Sequence, residues 1–216
     1  MLQCPSCARP QEPRLICSQC GTPLAADLDF FAALRLPRLL QLDIANLESA
    51  YHDLGRRIHP DRFAAASPQI REASLRATAL LTRAYRTLRD PVSRGLYWLE
   101  LHGHKLAENN KQVPPDLAEL VFEVQEQLSE WRILRGEDGT GARESMIELN
   151  AQRAKLQGLL DEFYGELVEN FAGFDAGGGA DADQLFAELK AILSKLAYLK
   201  TLLRDVDREL DKTATE

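Results

Sequence analysis

The sequence predicts an all-α protein in three parts: a small cysteine-bearing segment, a helical hairpin and a C-terminal three-helix bundle. Apolar residues recur at helical spacing over most of the chain, and no stretch alternates apolar and polar residues for the length of a strand. All four cysteines fall within the first twenty residues. A break after Pro23 and a polar, proline-marked connection at residues 109–115 separate the three parts, which we assign to residues 1–24, 27–104 and 105–216. Glycine-containing stretches at 136–141 and 173–179 interrupt the last part.

The overall composition narrows the class of protein. The chain has 216 residues, 45% of them hydrophobic, which is enough to bury a core. Its net charge of -7 argues against electrostatic binding to nucleic acid or to an anionic membrane. No run of eighteen apolar residues occurs, and the N-terminus resembles neither a secretory nor an organellar leader. We therefore expect a cytoplasmic protein with no nucleic-acid or membrane partner.

The first part carries two CxxC pairs, Cys4 with Cys7 and Cys17 with Cys20. Two residues between cysteines let both thiolates of a pair face one ion, and four thiolates complete a tetrahedral site. We predict one structural zinc ion, because so short a segment cannot fold by apolar burial alone. Iron in a rubredoxin-like site is the metallic alternative. Disulfides, a redox-active pair or a disordered tail are the others, and a reducing cytosol and the missing βαβ pattern disfavour the first two.

The second part predicts two antiparallel helices joined by a short loop. Apolar residues recur helically between Asp43, a plausible N-cap, and His59, and again from Ala73 to Leu88 before Asp90. The predicted contacts of this hairpin centre on four residues: Tyr51, Leu54, Leu80 and Leu81. A short helix from Asp29 to Leu34 is expected to brace its open side.

The third part predicts three long helices. The first runs from Pro115 to about Arg135, the second from about Ala142 to Phe171 and the third from about Ala182 to Glu209. One apolar stripe on the first helix contains Leu117, Leu120, Val121, Val124, Leu128 and Trp131. The short connections favour antiparallel neighbours and hence a bundle.

The tripeptide His59-Pro60-Asp61 lies between the two hairpin helices. Proline disfavours helical geometry in the residue before it, so the first helix must end there. The His59 and Asp61 side chains are then left on a stiff, solvated turn, which favours contact with a partner over a packing role. The alternatives are a chance helix stop and a catalytic His-Asp pair, but no partnered nucleophile accompanies the pair.

Together with its flanking residues, this tripeptide resembles the J-domain of DnaJ-type co-chaperones. The similarity includes Asp29-Phe30-Phe31, Leu36-Pro37, Tyr51, Arg62-Phe63 and Ala84-Tyr85. The continuation through Asp90-Pro91, Arg94, Tyr97 and Gly103 is similar more specifically to the HscB family of iron–sulfur cluster assembly co-chaperones, some of which carry an extra zinc segment.

The resemblance implies that residues 27–104 form a J-domain and that the bundle binds a client. It implies a chaperone-binding role for His59, Pro60 and Asp61. By their charge, Arg56, Arg57 and Arg62 would add a small basic patch that steers the loop toward an acidic partner surface. Their partner would be a DnaK-type (HscA-like) chaperone, whose ATPase the loop would stimulate. Asp53 and Glu48 dilute the basic patch, a departure that bears on affinity.

The client implied by the resemblance is the IscU-type iron–sulfur scaffold protein. The matching positions are Leu120, Val121, Val124, Gln125 and Tyr198, with Phe122 as a further exposed contact. Valine replaces the usual methionine at Val121, and Gln125 stands where a glutamate is expected; the same apolar residues at helical spacing are also typical of an ordinary core. The sequence thus predicts a non-enzymatic co-chaperone. The alternative is a J-domain protein with a different client and the zinc segment as a protein-docking module, and a homodimer through that segment stays open.

Overall fold

The computed structural model describes residues 2–106, 113–135, 139–176 and 182–212. Within them the chain forms seven α-helices and one two-stranded sheet, so the all-α prediction is confirmed. The elements are β1 (Leu2–Gln3), β2 (Pro10–Gln11), α1 (Phe30–Leu34), α2 (Ile44–Ile58), α3 (Pro68–Arg89), α4 (Pro91–Leu101), α5 (Ala118–Leu134), α6 (Thr140–Ala176) and α7 (Ala182–Asp211). The chain divides into two compact units, residues 1–97 and 98–216. The boundaries at 1–24, 27–104 and 105–216 stay a prediction.

The cysteine-bearing segment is the start of the first unit. Its strands β1 and β2 pair antiparallel, and a single bridge joins Ile16 to Pro23. Strands of two residues are too short to show a period-two pattern, which is why the sequence did not indicate them. Leu15, Ile16 and Leu24 are buried, so this segment contributes apolar side chains to the first unit.

The helical hairpin formed by α2 and α3 follows the predicted boundaries closely. Asp43 caps α2 by accepting hydrogen bonds from the N–H groups of Ala45 and Asn46 at 2.9 and 3.3 Å. Ser67 caps α3 in the same way through Ile70 N–H. A 3₁₀ turn over Pro60–Phe63 connects the two helices. The caps satisfy backbone donors that have no partner inside a helix.

The hairpin core combines aliphatic and aromatic contacts. Leu54 and Leu81 are buried as predicted, whereas Leu80 is half-buried. Tyr51 stacks on Tyr85 with ring centroids 4.2 Å apart. Helix α1 packs against both α2 and α3, and its Phe31 is fully buried, in agreement with its expected bracing role.

In the second unit, α5, α6 and α7 form the predicted three-helix bundle. Helix α6 continues five residues past its expected end at Phe171, because Phe174 is buried and anchors its last turn. The polar connection around Asn109 and parts of both glycine-containing connections lie outside the described residues. None of the described helices combines the length and the apolar character needed to cross a membrane.

Candidate functional site

The four cysteines converge at one point of the first unit. Their Sγ atoms all lie within 4.8 Å of one another, with 3.5 Å between Cys4 and Cys20 and 3.7 Å between Cys7 and Cys17. None of the four forms a disulfide. Thiolates bound tetrahedrally at a Zn–S distance of about 2.3 Å would lie about 3.8 Å apart. The arrangement therefore fits a single four-coordinate metal ion.

The two CxxC pairs share one backbone geometry. Ala8 N–H donates to the Cys4 carbonyl at 2.9 Å, and Gly21 N–H donates to the Cys17 carbonyl at 3.1 Å. Both residues have positive φ, 54° for Ala8 and 74° for Gly21. Glycine adopts this conformation without strain, whereas Ala8 does so at a cost in free energy. The same tight turn thus brings each pair of thiols to one side.

Backbone hydrogen bonds, burial and neighbouring thiols shift the pKa values of Cys7 and Cys17 in opposite directions. A hydrogen bond from the Cys20 N–H lowers the pKa of Cys17 to about 6. The Arg9 N–H lowers the pKa of Cys7, but burial and the neighbouring thiols outweigh it and raise that pKa to about 11. A metal-bound thiol is deprotonated, so a bound cation would hold these cysteines as thiolates and end their competition for protons.

A cleft of about 440 Å³ separates the cysteine segment from α3. Cys4 and Leu24 line one wall, and Glu72 and Arg76 line the other. The Glu72 and Arg76 side chains form an ion pair at 2.6 Å, so their charges cancel at this wall of the cleft.

The predicted chaperone loop has a fixed backbone and exposed side chains. His59 has a non-helical backbone conformation (φ -53°, ψ 132°), and its Nδ1 accepts a hydrogen bond from the Asp61 N–H at 3.3 Å. The Arg62 N–H donates to the His59 carbonyl at 3.0 Å. The His59 and Asp61 side chains are nevertheless 56% and 89% exposed. Polar groups held in this way are available to a partner at little further cost in ordering.

One contact behind this loop had no obvious signal in the sequence. The hydroxyl of Ser74, fully buried on α3, donates to the carbonyl of Ile58, the last residue of α2, at 2.6 Å. The only hint is a serine among the small and apolar residues of a buried helix face.

Basic side chains surround the loop, as expected. Arg56, Arg57 and Arg62 are all exposed, and Arg56 lies 3.4 Å from Asp53. Glu48 points to α3 instead, where it accepts a hydrogen bond from Tyr85 at 3.2 Å and pairs with an arginine. Of the two acidic residues expected to dilute the basic patch, Asp53 is the one that pairs with an arginine of the patch.

The five predicted client-binding residues occupy different environments in the second unit. Leu120 and Val124 are buried in the bundle, Val121 and Tyr198 are half-buried, and Gln125 is exposed. Phe122, by contrast, is 70% exposed. The accessible apolar surface of α5 therefore includes Phe122, which lies off the main apolar stripe.

Comparison with known proteins adds independent information. No protein-family model matches the chain. It is 28% identical to the human "Iron-sulfur cluster co-chaperone protein HscB", over 93% of this chain and 79% of the relative. It is 33% identical to the "Co-chaperone protein HscB homolog" of Burkholderia multivorans, over 86% of this chain and 95% of the relative.

Solved structures show the same similarity. The crystal structure of human co-chaperone protein HscB aligns with a TM-score of 0.71 at 27% identity, over 98% of each chain. Chaperone HscB from Vibrio cholerae aligns with a TM-score of 0.60 over 86% of this chain and 99% of its own, and at 24% identity it supports the fold alone. Sequence and fold thus agree, and the chain belongs to the HscB family of co-chaperones.

Proposed function

We propose that this protein is a non-enzymatic co-chaperone of iron–sulfur cluster assembly. In this proposal the His59-Pro60-Asp61 loop binds a DnaK-type (HscA-like) chaperone and stimulates its ATP hydrolysis. The observation that carries it is a tripeptide fixed in its backbone while its two polar side chains stay exposed. Similarity to the human iron–sulfur cluster co-chaperone protein supports the assignment to iron–sulfur cluster assembly.

The chemistry of the loop suits an interaction with a charged partner. The Asp61 carboxylate can accept a charge-assisted hydrogen bond from an arginine of the chaperone, and His59 can add a second polar contact. Arg56, Arg57 and Arg62 would steer the loop toward an acidic surface.

We propose further that the IscU-type scaffold docks on α5 of the second unit. Val121, Gln125 and Tyr198 would contact it together with the exposed Phe122. Leu120 and Val124, being buried, would act by supporting this surface from within the bundle. Glu119 and Glu126, exposed on the same helix, would favour a partner with basic groups beside its apolar surface.

For the cysteine cluster we propose one structural zinc ion held by Cys4, Cys7, Cys17 and Cys20. The sulfur separations and the all-thiol ligand set support it. Four protein ligands leave no coordination position for a substrate, which fits a structural role.

The chaperone proposal is tested by a matched pair of substitutions on the same helix hairpin. We expect His59→Gln to abolish stimulation of a DnaK-type ATPase, because it removes the imidazole that organises the loop. His52→Gln makes the same change at an exposed position of α2, before the loop, and should stimulate like the parent. Steady-state ATP hydrolysis measures both, and circular dichroism checks that each variant is folded. Normal stimulation by His59→Gln would contradict the proposal.

The alternative, a J-domain co-chaperone with a different client, draws support from the burial of Leu120 and Val124. Pull-down with an IscU-type scaffold separates the two. Retention of the scaffold favours the first, and stimulation of the chaperone without retention favours the alternative.

A further inference from the structure

The carbonyl of Ile58 lies at the point where α2 gives way to the loop. The last carbonyls of a helix have no partner within the helix and must find one elsewhere if they are buried. Ile58 is fully buried. Its carbonyl therefore needs a donor other than water.

The backbone donors that follow cannot supply it. Pro60 has no N–H, the Asp61 N–H is hydrogen-bonded to His59 Nδ1, and the Arg62 N–H is hydrogen-bonded to the His59 carbonyl. The same bonds that shape the loop thus use up its nearest donors. The Ser74 hydroxyl fills this gap at 2.6 Å.

Ser74 is an unusual residue for its position on α3. It shares the buried face of the helix with Ala73 and Ala77, where alanine has the better helix propensity. A serine inside a helix commonly bonds to a carbonyl of its own preceding turn. Ser74 instead reaches across to α2, sixteen residues back in the chain.

This contact bears directly on the geometry of the loop. The Ile58 carbonyl and the His59 nitrogen belong to one rigid peptide plane. Fixing the carbonyl therefore fixes the direction in which the chain leaves α2 at His59. Through that plane, α3 sets the direction in which the tripeptide is displayed.

We infer that Ser74 is a positioning residue for chaperone activation: its buried hydroxyl holds the Ile58 carbonyl and so orients His59-Pro60-Asp61. The inference rests on the proposed function of the loop. Without the hydroxyl, the loop samples other directions, and the competent population falls while its three side chains are unchanged. The apparent affinity for the chaperone falls by the same factor.

The test compares Ser74→Ala with Thr78→Val. Thr78 lies one helical turn further along α3, and its buried hydroxyl has no hydrogen-bond partner among the residues that the structure describes. Both variants remove a hydroxyl from α3, but of the two only the Ser74 hydroxyl is bonded to the Ile58 carbonyl before the loop. For Ser74→Ala we expect the co-chaperone concentration at half-maximal ATPase stimulation to rise about fivefold to tenfold, as expected for loss of one buried hydrogen bond. Thr78→Val should match the parent.

Ser74→Cys, which keeps the volume and a weak donor, should fall between the parent and Ser74→Ala, and it serves if Ser74→Ala does not fold. All variants are compared at a temperature where their helicity equals that of the parent. An unchanged half-maximal concentration for Ser74→Ala, or an equal rise for Thr78→Val, would overturn the inference.

Amide hydrogen exchange of His59 and residues 61–63 separates this inference from the proposed function, because the measurement requires no chaperone. Ser74→Ala should accelerate exchange in these residues, and Thr78→Val should not. If Ser74→Ala exchanges faster but the parent does not stimulate the ATPase, the chaperone role is wrong and the positioning role stands. If Ser74→Ala exchanges at the rate of the parent, the positioning role is wrong, regardless of the result of the ATPase assay.

Discussion

At the scale of single residues, Glu209 shows how a charge is accommodated within the second unit. Its side chain is buried, and its carboxylate lies 2.9 Å from Arg135, 3.0 Å from Lys212 and 3.3 Å from Arg132. Burial alone would raise the pKa of Glu209, but the hydrogen bond from Lys212 and the charges of Arg132 and Lys212 outweigh it and lower that pKa. The ionised form of Glu209 therefore stabilises the contact between α5 and α7.

This carboxylate predicts a pH-dependent contribution to stability. The pKa of Glu209 is lower in the folded state than the value of about 4.3 expected in the unfolded chain. Its contribution is thus fully present above pH 4.3 and is lost as the pH falls through the lower, folded pKa. We expect Glu209→Gln to lower the free energy of unfolding by about 1–2 kcal/mol at pH 7, since its partners are partly exposed.

Urea unfolding of the parent and Glu209→Gln between pH 7 and pH 3 measures this effect. The difference in unfolding free energy should shrink as the pH falls below about 4. Glu188→Gln, an exposed change on the same helix, should show little difference at any pH. A difference for Glu209→Gln that does not vary with pH would contradict the assignment.

At the scale of elements, α5 shows what the sequence could and could not predict. Helical periodicity predicted its buried face, and Leu120, Val124, Leu128 and Trp131 are indeed buried. The predicted client-binding residues came from a resemblance, which compares positions without knowing which side of a helix faces solvent. The helical wheel carries that information, and it places Phe122 away from the stripe.

The hairpin also shows that local sequence signals predict the ends of helices but not the contacts between them. Caps, prolines and spacing predicted the ends of α2 and α3, because these are local signals. The contact between Ser74 and Ile58 depends on tertiary packing of two helices, so no local pattern could indicate it.

The exposed face of α5 leads to a prediction on client binding. We expect Phe122→Ser to weaken binding of an IscU-type scaffold about tenfold or more while leaving the unfolding free energy almost unchanged, because an exposed aromatic residue contributes to an interface and little to the core. Ile133, on the same helix, is equally exposed at 74%. Ile133→Ser is therefore the matched control and should bind normally. Calorimetric titration measures both, and equal losses for the two variants would remove Phe122 from the site.

At the scale of the whole molecule, charge is divided unevenly between the two units. Residues 1–97 contain 13 arginines, no lysine and 9 acidic residues, for a net charge of +4. Residues 98–216 contain 13 basic and 24 acidic residues, for a net charge of -11. The overall charge of -7 conceals this division. A basic unit that carries the loop and an acidic unit that carries the α5 surface suit two partners of opposite charge.

The division of the chain into two units also predicts the effect of metal removal. The cysteines lie in the first unit, whereas Trp98 and Trp131 both lie in the second. If the proposed zinc ion holds the cysteine segment, its removal should release Leu15, Ile16 and Leu24 from burial and leave the bundle folded. The tryptophan emission should therefore stay constant on chelation, while amide exchange rises in the cysteine segment and in the part of α3 that lines the cleft.

Thiol titration provides a direct count of the ligands, because the chain has four cysteines and all belong to the cluster. Metal-loaded protein should react slowly with a thiol reagent, and chelation should make all four thiols reactive as one ion per chain is released. In Cys20→Ser the three remaining thiols should react quickly without any chelator. Loss of the tryptophan signal on chelation would contradict the expectation that the second unit stays folded without the metal. It would show that the cysteine segment stabilises the second unit as well.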